Sequence, residues 1–341
     1  MIDPDRPTSS EATRHRGTAA ELEAALTAAV RDMVLRSPRL TEFAGGAPAV
    51  QRILDAIENV WLDHGGLRIH CDFHRSASPK ATVVFQPGSG AHARFYFLLG
   101  GLLARRGYHV LAIDRPGHGM SAGARGECTI EEAIAVSGSV IDHARRQLGL
   151  PVVLMGSSMG GLLTIFALLE HLEPDLAVVH NFVYPGKLFS MRLRARWIER
   201  RRSKPYPLTE LVHGFENLSP DPAISEYLRS RSDPGAAWEL SAHSIASLFG
   251  FSTAAPAHAP ETLVMTGARD KAIPAWATRF FMWWSGLPRY EVLVMPNAGH
   301  LLFHDHLDVS VPAVTDWLEP RIGSPTGGAS SRSRSAINGT G

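Results

Sequence analysis

Cysteine is scarce in this 341-residue chain. Cys71 and Cys128 are its only two, too few for a disulfide framework and too far apart in sequence for a metal-binding cluster, so both are expected as free thiols. An excess of charge of one sign is also missing. The 34 basic and 33 acidic residues leave a formal charge of +1, which gives no global attraction to nucleic acid or anionic lipid, and any charged partner must be recognised locally. No apolar run approaches the ~18 residues that a membrane span needs, and Met1-Ile2-Asp3-Pro4-Asp5-Arg6-Pro7 lacks the apolar stretch of a secretory signal. The expectation is a soluble, cytoplasmic protein. Its 45% hydrophobic content fits a folded core with room for an insertion.

Residues 1 to about 17 are rich in Pro, Ser, Thr and Arg and are expected to be mobile. Thr18 with Glu21 forms a capping-box signature that opens a helix through about Leu35, with Leu22, Ala25, Leu26, Ala29 and Met33 at helical spacing. A second helix is expected from Pro48 to Asn59. Residues 1–59 therefore read as a mobile start and a helical extension, for packing or oligomerisation, outside the catalytic core. From Trp61 short β-branched runs alternate with helical segments, the pattern of a mostly parallel sheet with helices on both faces. Strands are expected near Leu67–Phe73, Thr82–Phe85, His109–Ile113, Val152–Met155, Leu176–Val179, Leu263–Met265 and Val292–Met295. Phe280, Phe281, Trp283 and Trp284 are expected on a helix packed against the sheet. Between Val179 and Leu263 the rhythm lapses into helical, Arg-rich and Pro-punctuated text. The organisation expected is a core in two parts, 60–180 and 261–320, an inserted helical cap at 181–260, and a Gly/Ser-rich disordered tail at 321–341.

The most informative segment is Gly156-Ser157-Ser158-Met159-Gly160. It follows the apolar run Val152-Val153-Leu154-Met155 and leads into a helical apolar stretch, so it reads as strand, tight turn and helix. G-x-S-x-G in that setting is a nucleophile elbow, with Ser158 held exposed at the turn. A serine hydroxyl needs a base, and the base needs a carboxylate to orient it. Candidates follow in that fold's chain order: Asp270 after the strand Leu263-Val264-Met265, and His300 after Val292-Leu293-Val294-Met295. All three stand at the carboxyl ends of strands, where open α/β sheets place their chemistry. His304 and His306 lie in or beside the next helix and rank behind His300. The Met159 N–H, at the helix start, is one candidate oxyanion donor. The Gly-rich turn Phe85-Gln86-Pro87-Gly88-Ser89-Gly90-Ala91-His92 supplies another, the Ser89 N–H; a plain strand-to-helix turn or a phosphate cradle are the alternatives, and no P-loop lysine follows it.

These residues resemble the α/β-hydrolase superfamily, and within it the monoacylglycerol lipase and lysophospholipase-like group. The similarity rests on Pro87-Gly88-Ser89-Gly90-Ala91-His92-Ala93-Arg94, on Asp114-Arg115-Pro116-Gly117-His118-Gly119-Met120-Ser121 and on Gly156 to Gly161, and extends through Asp270 and His300. It covers roughly residues 60 to 320. The resemblance implies an α/β-hydrolase fold, with a mostly parallel eight-stranded sheet, helices on both faces and an inserted helical cap. It implies hydrolysis of small-lipid esters through an acyl-enzyme, with no cofactor and no metal. The group usually has His-Gly where this chain has Pro87-Gly88, so the support of the oxyanion loop must differ. His118, between two glycines, is expected as a structural loop residue.

In the cap, Phe189, Leu193 and Trp197 recur every four residues on one helical face. Arg192, Arg194, Arg196, Arg200, Arg201, Arg202 and Lys204 crowd the same segment against the single acid Glu199. Two readings stay open: a solvated basic face, or contact with an anionic interface or an acidic substrate tail. Trp238, Leu248 and Phe249 are the candidate substrate contacts, available either to line an apolar acyl pocket or to form the cap's own core. The sequence thus points to a carboxylic ester hydrolase with a small-molecule ester substrate and no nucleic-acid partner. An acyltransferase or a thioesterase on the same residues is the alternative, a ligand receptor on this fold is disfavoured, and the oligomeric state is left open.

Overall fold

Thr18 begins the first helix as its sequence predicts: the Glu21 amide donates to the Thr18 hydroxyl, and the Thr18 amide donates to the Glu21 carboxylate at 2.7 Å. The computed structural model describes residues 18–201, 204–212 and 214–322. The mobile start expected at 1–17, Arg202, and all of the expected tail except Arg321 and Ile322 lie outside the described residues. Those two correct the tail's boundary. Arg321 pairs with Glu261 at 2.9 Å and Glu291 at 2.6 Å, so it belongs to the folded body.

The extension consists of α1 (Ala19–Leu35), α2 (Pro38–Ala44) and α3 (Ala47–Asp55). Two corrections arise here. The second expected helix stops at Asp55 instead of reaching Asn59, and Ser37 with Pro38 starts a separate short helix that periodicity does not reveal. Ile57 instead opens β1 (Ile57–His64), which pairs antiparallel with β2 (Leu67–His74) around Gly65-Gly66. The core's sheet therefore begins ahead of the expected boundary at 60. Pairing and the packing of Val60 and Leu62 against the core override the local helical signal. Nor is the extension an appendage, because Val30, Met33, Val34, Leu40, Val50 and Ile53 share one apolar cluster with the sheet.

The chain then runs through β3 (Ala81–Gln86), α4 (Phe97–Arg105), β4 (Tyr108–Ile113), α5 (Ile130–Leu148), β5 (Val152–Ser157), α6 (Met159–Leu169) and β6 (Leu176–His180). The cap segment follows: α7 (Phe189–Arg201), β7 (Tyr206–Pro207), α8 (Leu208–Leu211), α9 (Pro222–Ser230), β8 (Glu239–Leu240) and α10 (Ala242–Gly250). The core closes with β9 (Glu261–Gly267), α11 (Ala275–Ser285), β10 (Tyr290–Met295), α12 (Leu302–Asp305) and α13 (Leu307–Leu318). Eight strands lie in the order β1-β2-β4-β3-β5-β6-β9-β10. β2 is antiparallel to β1 and β4, and the remaining neighbours are parallel.

Alternate residues of the central strands serve two faces, as the pleat requires. Val83, Phe85, Val153 and Met155 pack toward α4, α13 and the N-terminal helices. Val84, Val152 and Leu154 pack toward α5 and α6. Both faces being covered, every residue of β3, β5 and β6 is buried. Each Val, Leu, Phe or Met side chain so buried contributes roughly 1.5–3 kcal/mol, which makes this the rigid platform for the loops at its edge.

At the far edge the expectation for α11 holds only in part: Phe281 packs against the core and Trp284 is half-buried, while the other aromatics are exposed. Trp276 and Trp283 are each 71% exposed and Phe280 is 44% exposed, while its buried face is Ala277, Thr278, Met282 and Ser285. The half-exposed strand β10 ends the sheet there, so the helix has only a narrow face to bury. The exposed Phe280 ring packs on its helix neighbours, its centroid 5.2 Å from that of Phe281. In the cap α7 lies along α10, burying Ala195 and Ile198 and turning Phe189, Leu193 and Trp197 outward. No helix among the described residues is long and apolar enough to cross a membrane.

Candidate active site

The turn from β5 into α6 explains its own glycines. A Cβ on Gly156 would fall inside 3.0 Å of the Gly160 carbonyl, and one on Gly160 inside 3.0 Å of the Gln86 carbonyl on β3. Backbone cannot yield there as a side-chain tip could. Between them Ser158 sits at φ 53°, ψ −114°, a conformation that costs a residue with a Cβ about 1–3 kcal/mol. It is held by the Ser158 amide donating to the His180 carbonyl at 2.9 Å and by the Leu162 amide donating to the Ser158 carbonyl at 3.0 Å.

The structure brings Ser158, His300 and Asp270 together. Ser158 Oγ lies 3.0 Å from His300 Nε2, and His300 Nδ1 lies 2.9 Å from Asp270 Oδ2. His300 and Asp270 are buried while Ser158 is partly exposed. Asp270 Oδ1 accepts the Ala272 and Ile273 amides at 2.8 Å each. Burial alone would raise the Asp270 pKa, but the hydrogen bond and charge of His300 with the Ile273 amide hold it below the usual carboxylate range. A further donor was missed by sequence reasoning: Asn181 Nδ2 donates to Asp270 Oδ2. The available signal was position, since Asn181 directly follows β6 at the same sheet edge. His304 and His306 stand apart from this chain. His304 is buried and stacks on Phe95, with centroids 4.5 Å apart, and burial lowers its pKa to about 4. His306 Nε2 accepts the Gly299 amide at 3.2 Å.

Among the described residues, neither the Ser89 nor the Met159 N–H donates to a protein acceptor. The loop carrying Ser89 presses against the elbow, since a Cβ on Gly88 would lie 3.0 Å from Tyr96 Oη and 3.7 Å from Ser158 Cβ. The Asp114-to-Ser121 segment supports it. Asp114 accepts the Ala93 amide at 2.7 Å, the Met120 amide at 2.9 Å and His70 Nδ1 at 2.7 Å. Burial would raise the Asp114 pKa, yet His70 above all brings it down to about 2. His118 is buried, with Nδ1 2.9 Å from the Pro116 carbonyl, and burial lowers its pKa to about 3, so it is a neutral loop residue.

Two lobes of one cleft meet at Ser89, Ser158 and His300. The larger, about 320 Å³, runs under the cap between Leu162, Val183, Met191, Leu211, Leu248 and Phe249, with Arg194 and Glu210 also on its wall. The smaller is lined by Phe95, Leu208, Phe215, Leu218 and Trp238, and contains His92, Tyr227 and Asp233. The three candidate contacts therefore divide: Leu248 and Phe249 face the larger lobe and Trp238 the smaller. His92 Nε2 lies 2.7 Å from Asp233 Oδ2, which also accepts from Tyr227. Burial would lower the His92 pKa, and the Asp233 carboxylate lifts it above the ordinary value.

Comparison with known proteins adds the following. A family model described as serine aminopeptidase, S33, matches residues 77–306. Phospholipase YtpA of Bacillus subtilis (strain 168) is 39% identical over 89 residues, 26% of this chain and 34% of that protein, so the match spans about a third of the relative's length. A soluble variant of monoglyceride lipase from Saccharomyces cerevisiae superposes with a TM-score of 0.64 at 15% identity, covering 79% of this chain and 97% of that one. For the monoacylglycerol lipase of Paleococcus ferrophilus the TM-score is 0.59 at 23% identity, with 74% and 99% covered. A thermophilic esterase from Thermogutta terrifontis gives 0.60 at 19% identity, with 78% and 99% covered. At such identities the structural likeness shows the fold.

Proposed function

The chain belongs to the S33 serine aminopeptidase family of α/β hydrolases, and on that premise we propose that it cleaves carboxylic esters of acylglycerol, lysophospholipid or similar type through an acyl-enzyme on Ser158. The observation that carries this is the run of contacts from Ser158 Oγ through His300 to Asp270, 3.0 and 2.9 Å, beside two amides with no protein acceptor among the described residues. His300 Nε2 takes the Ser158 proton as Oγ attacks the ester carbonyl, and Asp270 stabilises the imidazolium. The Ser89 and Met159 amides hold the oxyanion. On collapse His300 returns the proton to the leaving alcohol, and a water, activated in the same way, releases the acid.

The apolar walls of the larger lobe support an acyl chain as its occupant, and names of similar proteins support an ester: phospholipase, monoglyceride lipase, esterase. A panel of p-nitrophenyl esters of graded length, monoacylglycerols, lysophospholipids and aminoacyl amides tests the reading. The expected result is turnover of esters with chains of medium length. Narrowing the lobe with Leu211→Trp should shift preference toward acetyl esters by at least tenfold. Cleavage of aminoacyl amides without ester turnover would overturn the ester assignment, and acyl transfer to an added alcohol in preference to water would make the protein an acyltransferase.

Helix α7 supports contact between this enzyme and an anionic lipid interface. Phe189, Leu193 and Trp197 are 68%, 48% and 51% exposed, and Arg192, Arg196 and Arg200 are exposed on the same helix. Interfacial helices combine these features, and Met191 and Arg194 of α7 line the larger lobe, so substrate would enter beside the docked surface.

A further inference from the structure

We propose that Arg115 is the positioning residue of the oxyanion hole, its guanidinium fixing the peptide plane that aims the Ser89 N–H at the substrate. Arg115 follows β4 and is 5% exposed. Its Nη1 donates to the Pro87 carbonyl at 2.6 Å, and its Nη2 to the Gly88 carbonyl at 2.8 Å. The second of these carbonyls belongs to the same peptide unit as the Ser89 N–H. No described peptide is cis, and in a trans peptide C=O and N–H point in opposite directions. Holding the Gly88 oxygen on Arg115 therefore turns the Ser89 hydrogen away from it, and that hydrogen has no protein acceptor among the described residues. The preceding peptide is pinned at both ends, by Arg115 at the Pro87 oxygen and by Tyr96 Oη, which accepts the Gly88 amide at 3.3 Å. This is the support that Pro87, in place of the usual histidine, left unexplained.

The electrostatics point the same way. No carboxylate among the described residues forms an ion pair with Arg115; its guanidinium donates to backbone carbonyls. The neighbouring Asp114 carboxylate acts on Arg115 only through its charge, without a hydrogen bond; a buried cation so incompletely paired is costly, and one placed a single peptide away from a developing oxyanion recovers part of that cost as the negative charge appears. The guanidinium also polarises the Gly88–Ser89 peptide, which strengthens its N–H as a donor. Arg115 lines a small cavity together with Ser89 and Met159, and it is absent from the walls of both lobes that meet at Ser158. It acts through the loop and need not touch substrate.

The inference rests on the acyl-enzyme reading of Ser158, and its test separates the two. Wild-type protein, Arg115→Lys and Arg115→Met are compared for ester turnover and for affinity toward an alkylboronic acid, whose tetrahedral adduct on Ser158 places an oxygen in the hole. Removing one oxyanion donor costs about 100- to 1,000-fold in kcat in known hydrolases, and misaligning one is expected to cost about 30- to 300-fold. Arg115→Met should lose that much in kcat and in boronate affinity alike, with KM within threefold; Arg115→Lys should recover part of both. A folded Arg115→Met with kcat within threefold of wild type, or with the whole loss in KM, overturns the proposal. If neither variant folds, wild-type protein with 15N-labelled guanidinium groups supplies the measurement. The Arg115 Nη resonances should shift when the boronic acid captures Ser158, and unchanged resonances overturn the proposal. A wild type that neither turns over esters nor forms the adduct would refute the acyl-enzyme reading itself.

Discussion

Asp270→Asn separates orientation from architecture. Each carboxylate oxygen of Asp270 faces donors only: Oδ1 the Ala272 and Ile273 amides, Oδ2 His300 Nδ1 and Asn181 Nδ2. An asparagine must put its NH2 against one of these pairs. Toward the two amides it would forfeit two hydrogen bonds to a charged acceptor, about 1.5–3 kcal/mol each. Toward His300 and Asn181 it can be accommodated, because Asn181 Oδ1 is buried without a partner among the described residues and a flip of the Asn181 amide would bring that oxygen to the new NH2. The second arrangement is therefore favoured, at a stability cost of about 1–2 kcal/mol. Its consequence for His300 is severe. Nδ1 must then accept, the ring proton moves to Nε2, and Nε2 donates to Ser158 Oγ instead of removing its proton. The corresponding substitution in a serine protease lowers kcat about 10⁴-fold, equivalent to roughly 5.5 kcal/mol of barrier. The same order is expected here, with KM changed by less than threefold. Steady-state hydrolysis of p-nitrophenyl butyrate, alongside a urea melt of the same sample, measures both quantities. A variant that melts like the wild type and keeps kcat within tenfold would refute the assigned role of Asp270.

Acid stability should depend on Asp114. Its pKa is about 2 when folded against an ordinary value of 3.8, so its contribution is present above the unfolded value and is lost as pH falls through the folded one. At 1.36 kcal/mol per pKa unit this is about 2–3 kcal/mol. The unfolding free energy of Asp114→Asn should be flatter than that of wild type by that amount between pH 5 and 2, and parallel curves would contradict the linkage. Gly160→Ala places a methyl inside 3.0 Å of the Gln86 carbonyl, and should either prevent folding or lower stability by about 3 kcal/mol with loss of ester turnover; a native-like Tm with full activity would show that the β3–α6 contact can relax. Reversing Arg192, Arg196 and Arg200 to Glu removes about 1 kcal/mol of anionic-surface attraction per charge. Binding to phosphatidylserine-containing vesicles should weaken by more than 100-fold while turnover of soluble esters holds, and unchanged vesicle binding would end the interface proposal.

What could be foreseen follows from how local each signal is. The elbow announces itself because two glycines and an apolar strand must be contiguous, and Asp270 and His300 are found by the same logic of strand ends. Asn181 and Arg115 also stand at strand ends, but each looks like any loop residue until the fold shows which atoms it meets. The strand at Ile57 is invisible to periodicity because its partner, β2, decides it. The exposed aromatics of α11 mislead for a related reason, since a helix at the sheet's edge has little to pack against however apolar its sequence. Within the cap, sequence identifies helices and charge, while the split of Leu248 and Phe249 from Trp238 into separate lobes depends on chain crossings that no local pattern encodes.

The claim that Ser158 carries the acyl group is tested most directly by intact-mass spectrometry of wild type and Ser158→Ala, each quenched in acid during steady-state turnover of a p-nitrophenyl ester. The account predicts an added mass equal to the acyl group on wild type, mapped by fragmentation to Ser158, and neither adduct nor turnover in Ser158→Ala. Turnover persisting in Ser158→Ala, or an acyl group mapped to another residue, would contradict it.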